Sequence, residues 1–544
     1  MARAELPSSS IRSLALCALV VFTAGSAVAA PSLNAIRVSR SSGVAPLAVL
    51  FDATATTDSA FDREFHSLQY EWDFGDPGSG IWPLSGKSRN AAVGGVAGHL
   101  FTEGGSYTVT LTITNPAGQS ITRTTTIDVE AEDAHAWSGS YCYANGNDFS
   151  GCPSGSTHVG NVSSMNSAFS GRMGANTRHL FRRGDSFSLT PYAHPANGPI
   201  LIGAYGSGAR PVIQSSASGN TVMIQTRNDW RVIHLDFRGG GPPMGQPGDS
   251  SFSVTNATGW DLNMDGVFTC LQYWNRANPH VSGLAFVDIT CRPTGNKRWI
   301  WHRSVDTMYL GMDIDASDGP NPPMRSMLMR HTVFQHGRVV GSSYGGVFTL
   351  RGCSPSEAGC AGDLRNQYNI ISDNRFFDTE GTRTIRTCLN HECDSGGSNG
   401  NQSEHYIFER NFFEFDYAGA GASQLNSVFW LEGSDMTIRN NIFDLTDLPT
   451  AFNTALLEVS PRGPTVAGGA SANRDNHTFA HNTVVWTGPA HDIVLCRNAA
   501  SGGSHLCANN LLYSPNAGRT VSSGGGWTVQ GNMRDTIEYN GYPF

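Results

Sequence analysis

The sequence predicts an all-β chain in two parts, a β-sandwich followed by a parallel β-helix. Three observations carry this. Charged residues make up only 15% of the 544 residues while Gly reaches 62, and helix-period stretches are nearly absent, which favours turns and strands in more than one domain. Residues 32–130 alternate apolar and polar between turn signals, as short sandwich strands do. Through the C-terminal half a phrase recurs in which apolar residues lead to an Asn and then to another apolar pair: Ile370 to Phe377, Ile407 to Phe413, Ile438 to Phe443, Phe479 to Val484 and Leu506 to Leu512. The Asn-to-Asn steps of 37, 30, 41 and 28 residues suit a β-solenoid whose coils keep their strands and vary their loops. An Asn at the bend of each coil tolerates left-handed backbone angles, and stacked copies can hydrogen-bond as a ladder.

In chain order, residues 1–30 hold Arg3, Arg12, an apolar run from Leu14 to Ala24 and the small-residue phrase Ala27-Val28-Ala29-Ala30. This is the pattern of a cleavable secretory leader, too short to span a membrane. A secreted monomer, extracellular or periplasmic and without a membrane span, is expected. The formal charge is -9, and loss of the leader makes it more negative, which argues against nucleic acid as a partner.

Within 32–130, Tyr107 to Thr114 alternates cleanly and ends at the turn Asn115-Pro116-Ala117-Gly118. Tyr70-Glu71-Trp72-Asp73-Phe74-Gly75-Asp76 and Gly105-Ser106-Tyr107-Thr108-Val109 resemble the signature segments of the polycystic kidney disease (PKD) repeat family, an immunoglobulin-like β-sandwich common in bacterial exported hydrolases and lyases. The resemblance implies a spacer or carbohydrate-contacting accessory. A Gly-rich insertion from Pro77 to Gly98 departs from the family. A short acidic joint, Ala131 to His135, leads into a second domain spanning 135–544. There Leu180 to Asp185 and Ile200 to Gly208 resemble the first coils of right-handed parallel β-helix proteins, which implies that fold and a polysaccharide-processing role.

Of 11 cysteines, Cys17 lies in the leader, and the rest form local couples: Cys142 with Cys152, Cys270 with Cys291, Cys353 with Cys360, Cys388 with Cys393, and Cys496 with Cys507. In an exported chain these read as disulfides stapling long loops, and their spacing is not that of a zinc site.

The strands after each Asn bend align by their apolar residues as Phe348 to Arg351, Arg383 to Arg386, Phe429 to Glu432 and Ala455 to Glu458, with Leu310 to Asp313 before them. Alternation then turns Asp313, Arg351, Arg386, Glu432 and Glu458 outward in one column, with coils about 4.8 Å apart. Stacked Arg351 and Arg386 suit an anion such as a uronic acid carboxylate, which Arg grips in a bidentate fork. Glu432 and Glu458 suit a hard cation, and calcium is the candidate metal there and at Asp313 and Asp315, while no organic cofactor is expected. The disulfide loop around His391, with His336 and Tyr344 nearby, supplies bases and acids, and Arg338, Arg383, Glu432 and Trp430 add substrate contacts.

These groups match what a polysaccharide lyase needs: a carboxylate neutraliser (Arg351 or Arg386), a base (His391, His336 or the second Arg) and an acid (Tyr344). The substrate expected is an acidic polysaccharide. Glu380-Gly381 with Arg383-Thr384-Ile385-Arg386 is similar to the Gly-Glu-x-Ile-Arg strand of β-helical alginate and chondroitin lyases, although no Lys lies in this region. The pectate lyase Arg-x-Pro-x-x-Arg pattern and the polygalacturonase motifs are missing. Two alternatives stand beside the lyase: a glycoside hydrolase using Glu432 and Glu458 at the spacing of a retaining pair, and a non-catalytic carbohydrate-binding or adhesin protein holding sugar on Trp430. The acids from Asp313 to Asp318 lack the distal Glu of an EF-hand, and Trp299 and Trp301 fit packing better than sugar stacking.

Overall fold

The computed structural model describes residues 28–217, 219–246, 252–273, 281–294, 300–317, 324–341, 348–351, 366–378, 383–388, 403–416, 427–447, 455–459, 475–486, 493–499, 503–513 and 519–535. Residues 1–27 lie outside this set, as do His391, Tyr344 and the side chains of Arg351, Arg383 and Arg386. No helix among the described residues is long and apolar enough to cross a membrane.

Residues 37–130 form a β-sandwich. A three-stranded sheet joins Arg37–Val38, Leu47–Asp52 and Val96–Phe101. A five-stranded sheet runs Ser42–Val44, Ser120–Glu130, Gly105–Thr114, Gln69–Asp73, Ala91–Val93. The Trp-Asp-Phe-Gly-Asp segment builds its centre. Trp72 and Phe74 are buried against Phe51, Asp73 Oδ1 accepts the Gly75 amide, and a Cβ on Gly75 (φ 70°) would lie 2.5 Å from the Thr108 carbonyl oxygen. The acidic joint is pinned at once, because Arg178 pairs with both Glu132 and Asp133.

From Gly139 onward the strands wind into a right-handed parallel β-helix of three faces. The second face is one parallel sheet of 13 strands, from Ser186–Leu189 to Met533–Asp535. The first face carries strands such as Asn366–Ser372 and Ser403–Glu409, and the third carries Phe348–Arg351, Arg383–Cys388, Ser427–Leu431, Ala455–Val459 and Ile493–Asn498. Inward-facing apolar and aromatic residues, among them Phe376, Phe413 and Phe443 in a stack, fill the interior.

Asn side chains line the corner between the first two faces. Each Nδ2 donates to the Oδ1 of the next coil's Asn, from Asn374 through Asn411, Asn441, Asn482 and Asn510 to Asn532, at 2.8–3.1 Å. Each also donates to a carbonyl of the preceding coil. The left-handed backbone, however, falls one residue earlier, on Asp373, Arg410, Asn440, His481 and Asn509. The ladder Asn is selected by its carboxamide and not by its backbone.

Three disulfides form as paired in the sequence: Cys142–Cys152, Cys270–Cys291 and Cys496–Cys507. The last two lie inside the coils, in the apolar core, so they brace the interior and not loops as expected. The other two couples rest on residues outside the described set.

The sandwich is no loose spacer. It packs on the first face, where Ala48, Leu50, Phe65, Trp82, Val96 and Leu100 meet Ala285, Met308, Leu310, Val333, Ile370 and Ile407. Around this apolar patch five cations of the sandwich meet five carboxylates of the helix: Arg37 with Asp306, Arg40 with Asp229, Arg63 with Asp435, Lys87 with Asp373 and Arg89 with Asp288. All five Asp have left-handed backbones at coil corners, so the fold itself sets them in rows. Arg231, fully buried, donates to the carbonyls of Val44 and Pro46 across the seam.

Candidate functional site

The first face is covered by the sandwich, and the corner to the second face is a two-residue bend. The long connections in the chain precede or follow strands of the third face, for example residues 389–402 after Arg383–Cys388 and 417–426 before Ser427–Leu431. Long loops over a rigid sheet are where binding sites are built, so the third face is the candidate active face.

Strand register places its residues directly. Arg386 lies opposite Thr349 on one side and Trp430 on the other, Trp430 opposite Glu458, and Glu458 opposite Arg497. The register column is therefore Thr349, Arg386, Trp430, Glu458 and Arg497. Arg351 and Glu432 each stand two residues further along their strands, Arg351 opposite Cys388 and Glu432 two residues beyond Trp430. The predicted stacks of Arg351 on Arg386 and of Glu432 on Glu458 are thus corrected to diagonal neighbours. Arg383 lies opposite Ser427 in the same strand pair.

Trp430, Glu432 and Glu458 are nearly inaccessible, at 6%, 7% and 5% exposure, although they point away from the core. The Trp430 indole N–H donates to Glu432 Oε1 at 2.9 Å. Arg497, absent from the sequence prediction, lies on the strand Ile493–Asn498, which follows the Asn482 bend as the other third-face strands follow theirs.

Other predicted residues lie elsewhere. Asp313 and Asp315 sit on the second face. Asp313 takes Arg292 at 2.8 Å and Arg338 at 2.9 Å, and Asp315 lies 3.6 Å from Arg338. This corrects the place of Asp313 in the column, and these carboxylates, already held by guanidinium groups, do not fit a calcium site. No group of three or more His, Cys, Asp or Glu among the described residues is arranged to hold a metal. Arg338 is on the second face with them. His336 is buried under the sandwich, its ring stacked on Trp82 (centroids 5.1 Å apart) and Nδ1 hydrogen-bonded to Ser85 at 3.0 Å. Burial pushes its pKa down to about 4. It serves the domain seam, not the third face.

Comparison with known proteins adds the following. The PKD domain family matches residues 29–130. The PKD1 domain of the Vibrio cholerae metalloprotease PrtV aligns at 29% identity over 19% of this chain and 99% of that one, with a TM-score of 0.13. An alginate lyase from Paenibacillus sp. str. FPU-7 aligns at 15% identity over 65% and 91% of the two chains (TM-score 0.26). A Family 28 exopolygalacturonase from Yersinia enterocolitica aligns at 10% identity over 93% and 99% (TM-score 0.35). No curated protein matched the sequence.

Proposed function

Starting from a PKD domain docked on a right-handed parallel β-helix, we propose that this is an exported polysaccharide-processing enzyme, a lyase that cleaves a uronic-acid-containing polysaccharide on the third face. The observation that carries the proposal is the column of Arg386, Trp430, Glu458 and Arg497 on consecutive coils of the face flanked by long loops. Guanidinium groups and an aromatic ring at coil spacing suit an anionic sugar chain, the guanidinium for carboxylate and the ring for the sugar's apolar face.

In β-elimination a base removes the proton next to the carboxylate, the C4–O bond breaks, and the departing sugar oxygen takes a proton from an acid. Arg386, with Arg351 one pleat repeat away, is assigned to neutralise the carboxylate, which stabilises the negative charge that develops as the proton leaves. His391 is assigned as base and Tyr344 as acid, on the connections that follow Arg383–Cys388 and precede Phe348–Arg351 in the chain. The hydrolase alternative loses the spacing of a retaining pair, since the two-residue offset sets the Glu432 and Glu458 backbones about 7–8 Å apart instead of directly opposite, a separation nearer that of an inverting pair.

Export is supported by the leader sequence and by three disulfides. The test is ultraviolet absorbance while the purified protein is incubated with polyuronates and glycosaminoglycans, with and without a chelator. A rise marks the unsaturated product, and its insensitivity to the chelator excludes calcium from the step. A flat trace accompanied by new reducing ends identifies a hydrolase, and binding without either product leaves a carbohydrate-binding protein.

A further inference from the structure

The inserted loop of the sandwich, residues 77–89, stands over the corner between the first and second faces. There it divides a groove into two clefts of about 690 Å³ and about 340 Å³, with Leu84 lining both. We infer that this groove is a second saccharide-binding site, separate from the third face, and that it takes a neutral sugar chain.

The helix wall of the larger cleft supplies the polar half. Asp261 accepts from His234 Nδ1 at 2.7 Å and pairs with Arg210. One coil on, Asp288 takes both terminal nitrogens of Arg89 at 2.7 and 2.9 Å, and Asp313 is held by Arg292 and Arg338. Each carboxylate already faces a guanidinium group. The wall therefore offers fixed, adjacent donors and acceptors with little net charge, repeated at the coil step of about 4.8 Å. Vicinal hydroxyls match such pairs. In the larger cleft a uronate carboxylate would have to displace an existing partner, and this decides for a neutral chain.

The sandwich wall supplies the apolar half. Ile81 is 65% exposed and Leu84 38% exposed, yet the loop that carries them is pinned by the stacking of Trp82 on His336 and by the Arg89–Asp288 pair. Large apolar side chains held rigidly at the mouth of a cleft suit the C–H face of a sugar ring. The smaller cleft continues the same floor, with Arg375 over the Phe377 and Phe412 rings at 5.4 and 5.2 Å and Ile442 beside them. Two clefts in line along the coil stack fit a chain and not a single sugar, and each cleft by itself lies in the range of ligand sites.

The test is affinity electrophoresis of the full-length protein in gels containing xylan, galactomannan or mixed-linkage β-glucan. At least one of these neutral polymers slows the parent protein, and half-saturation rises at least tenfold in both Ile81→Asp and Phe412→Ala, with unchanged melting temperatures. Ile81 is exposed enough for its variant to keep the fold. Retardation by none of the neutral polymers, equal retardation of both variants and parent, or displacement of the neutral polymer by added polygalacturonate would each overturn the inference. The readout does not involve turnover, so this groove and the proposed lyase stand or fall separately.

Discussion

Asn441 sits in the middle of the corner ladder. Its Oδ1 accepts from both the backbone and the side chain of Asn411, and its Nδ2 donates to the Phe408 carbonyl and to Asn482 Oδ1. Removing the carboxamide leaves several buried groups without partners, each costing about 1–3 kcal/mol. Asn441→Ala should therefore destabilise the helix domain by at least about 3 kcal/mol, read from urea unfolding, whereas substitution of the exposed Asn440 should cost far less. The ladder was legible in the sequence because only a carboxamide both donates and accepts in this geometry. The left-handed position was not, since Asp, Arg, Asn and His all occupy it here and no single residue type marks it.

Elements explain what the sequence misplaced. On the third face, a strand that slips by two residues keeps every side chain on the same side of the sheet. Alternation therefore separated Phe429, Leu431 and Leu457 inside from Trp430 and Glu458 outside, while Arg351 and Glu432 were each set two residues away from their true neighbours. The docking of the sandwich left a signal that was not used. Strands of the first face run Ile370-Ile371, Ile407-Phe408 and Leu284-Ala285-Phe286-Val287, apolar on both sides, as in sheets covered on both faces.

The docked seam should respond to acid. His66 Nε2 lies 3.3 Å from His405 Nδ1, its Nδ1 hydrogen-bonds Thr437, and Arg63 and Arg439 are close. Burial holds His66 well below the usual histidine pKa and His336, facing Lys87, Asp373, Arg89 and Arg410, near 4. Because both pKa values are depressed in the docked state, docking is fully favourable above the undocked value of about 6.5 and weakens as pH falls toward 4. For His336 alone the loss reaches about 3 kcal/mol. Scattering or a distance probe between the two domains should report separation in that window, and His336→Phe, which keeps the stack on Trp82 and removes the proton, should shift it to lower pH.

At the scale of the molecule, the three faces divide the work. The sandwich closes the first face, the second carries ionic ladders and the corner groove, and the third faces its long loops. Deleting residues 29–130 would bare the patch of Ala285, Met308, Ile370 and Ile407, so the isolated helix domain should elute as aggregate in size exclusion while the full chain does not.

The choice of face is settled by comparing Arg386→Ala with Arg338→Ala in initial rates of unsaturated-product formation on the best polyuronate. Arg386 lies in the third-face column, and Arg338 on the second face is committed to Asp313. Loss of a positioned charge at the reacting carboxylate costs about 10²–10³ in rate. Arg386→Ala should fall by that factor while Arg338→Ala stays within about threefold of the parent. Unchanged turnover in Arg386→Ala, or a greater loss in Arg338→Ala, would contradict catalysis on the third face.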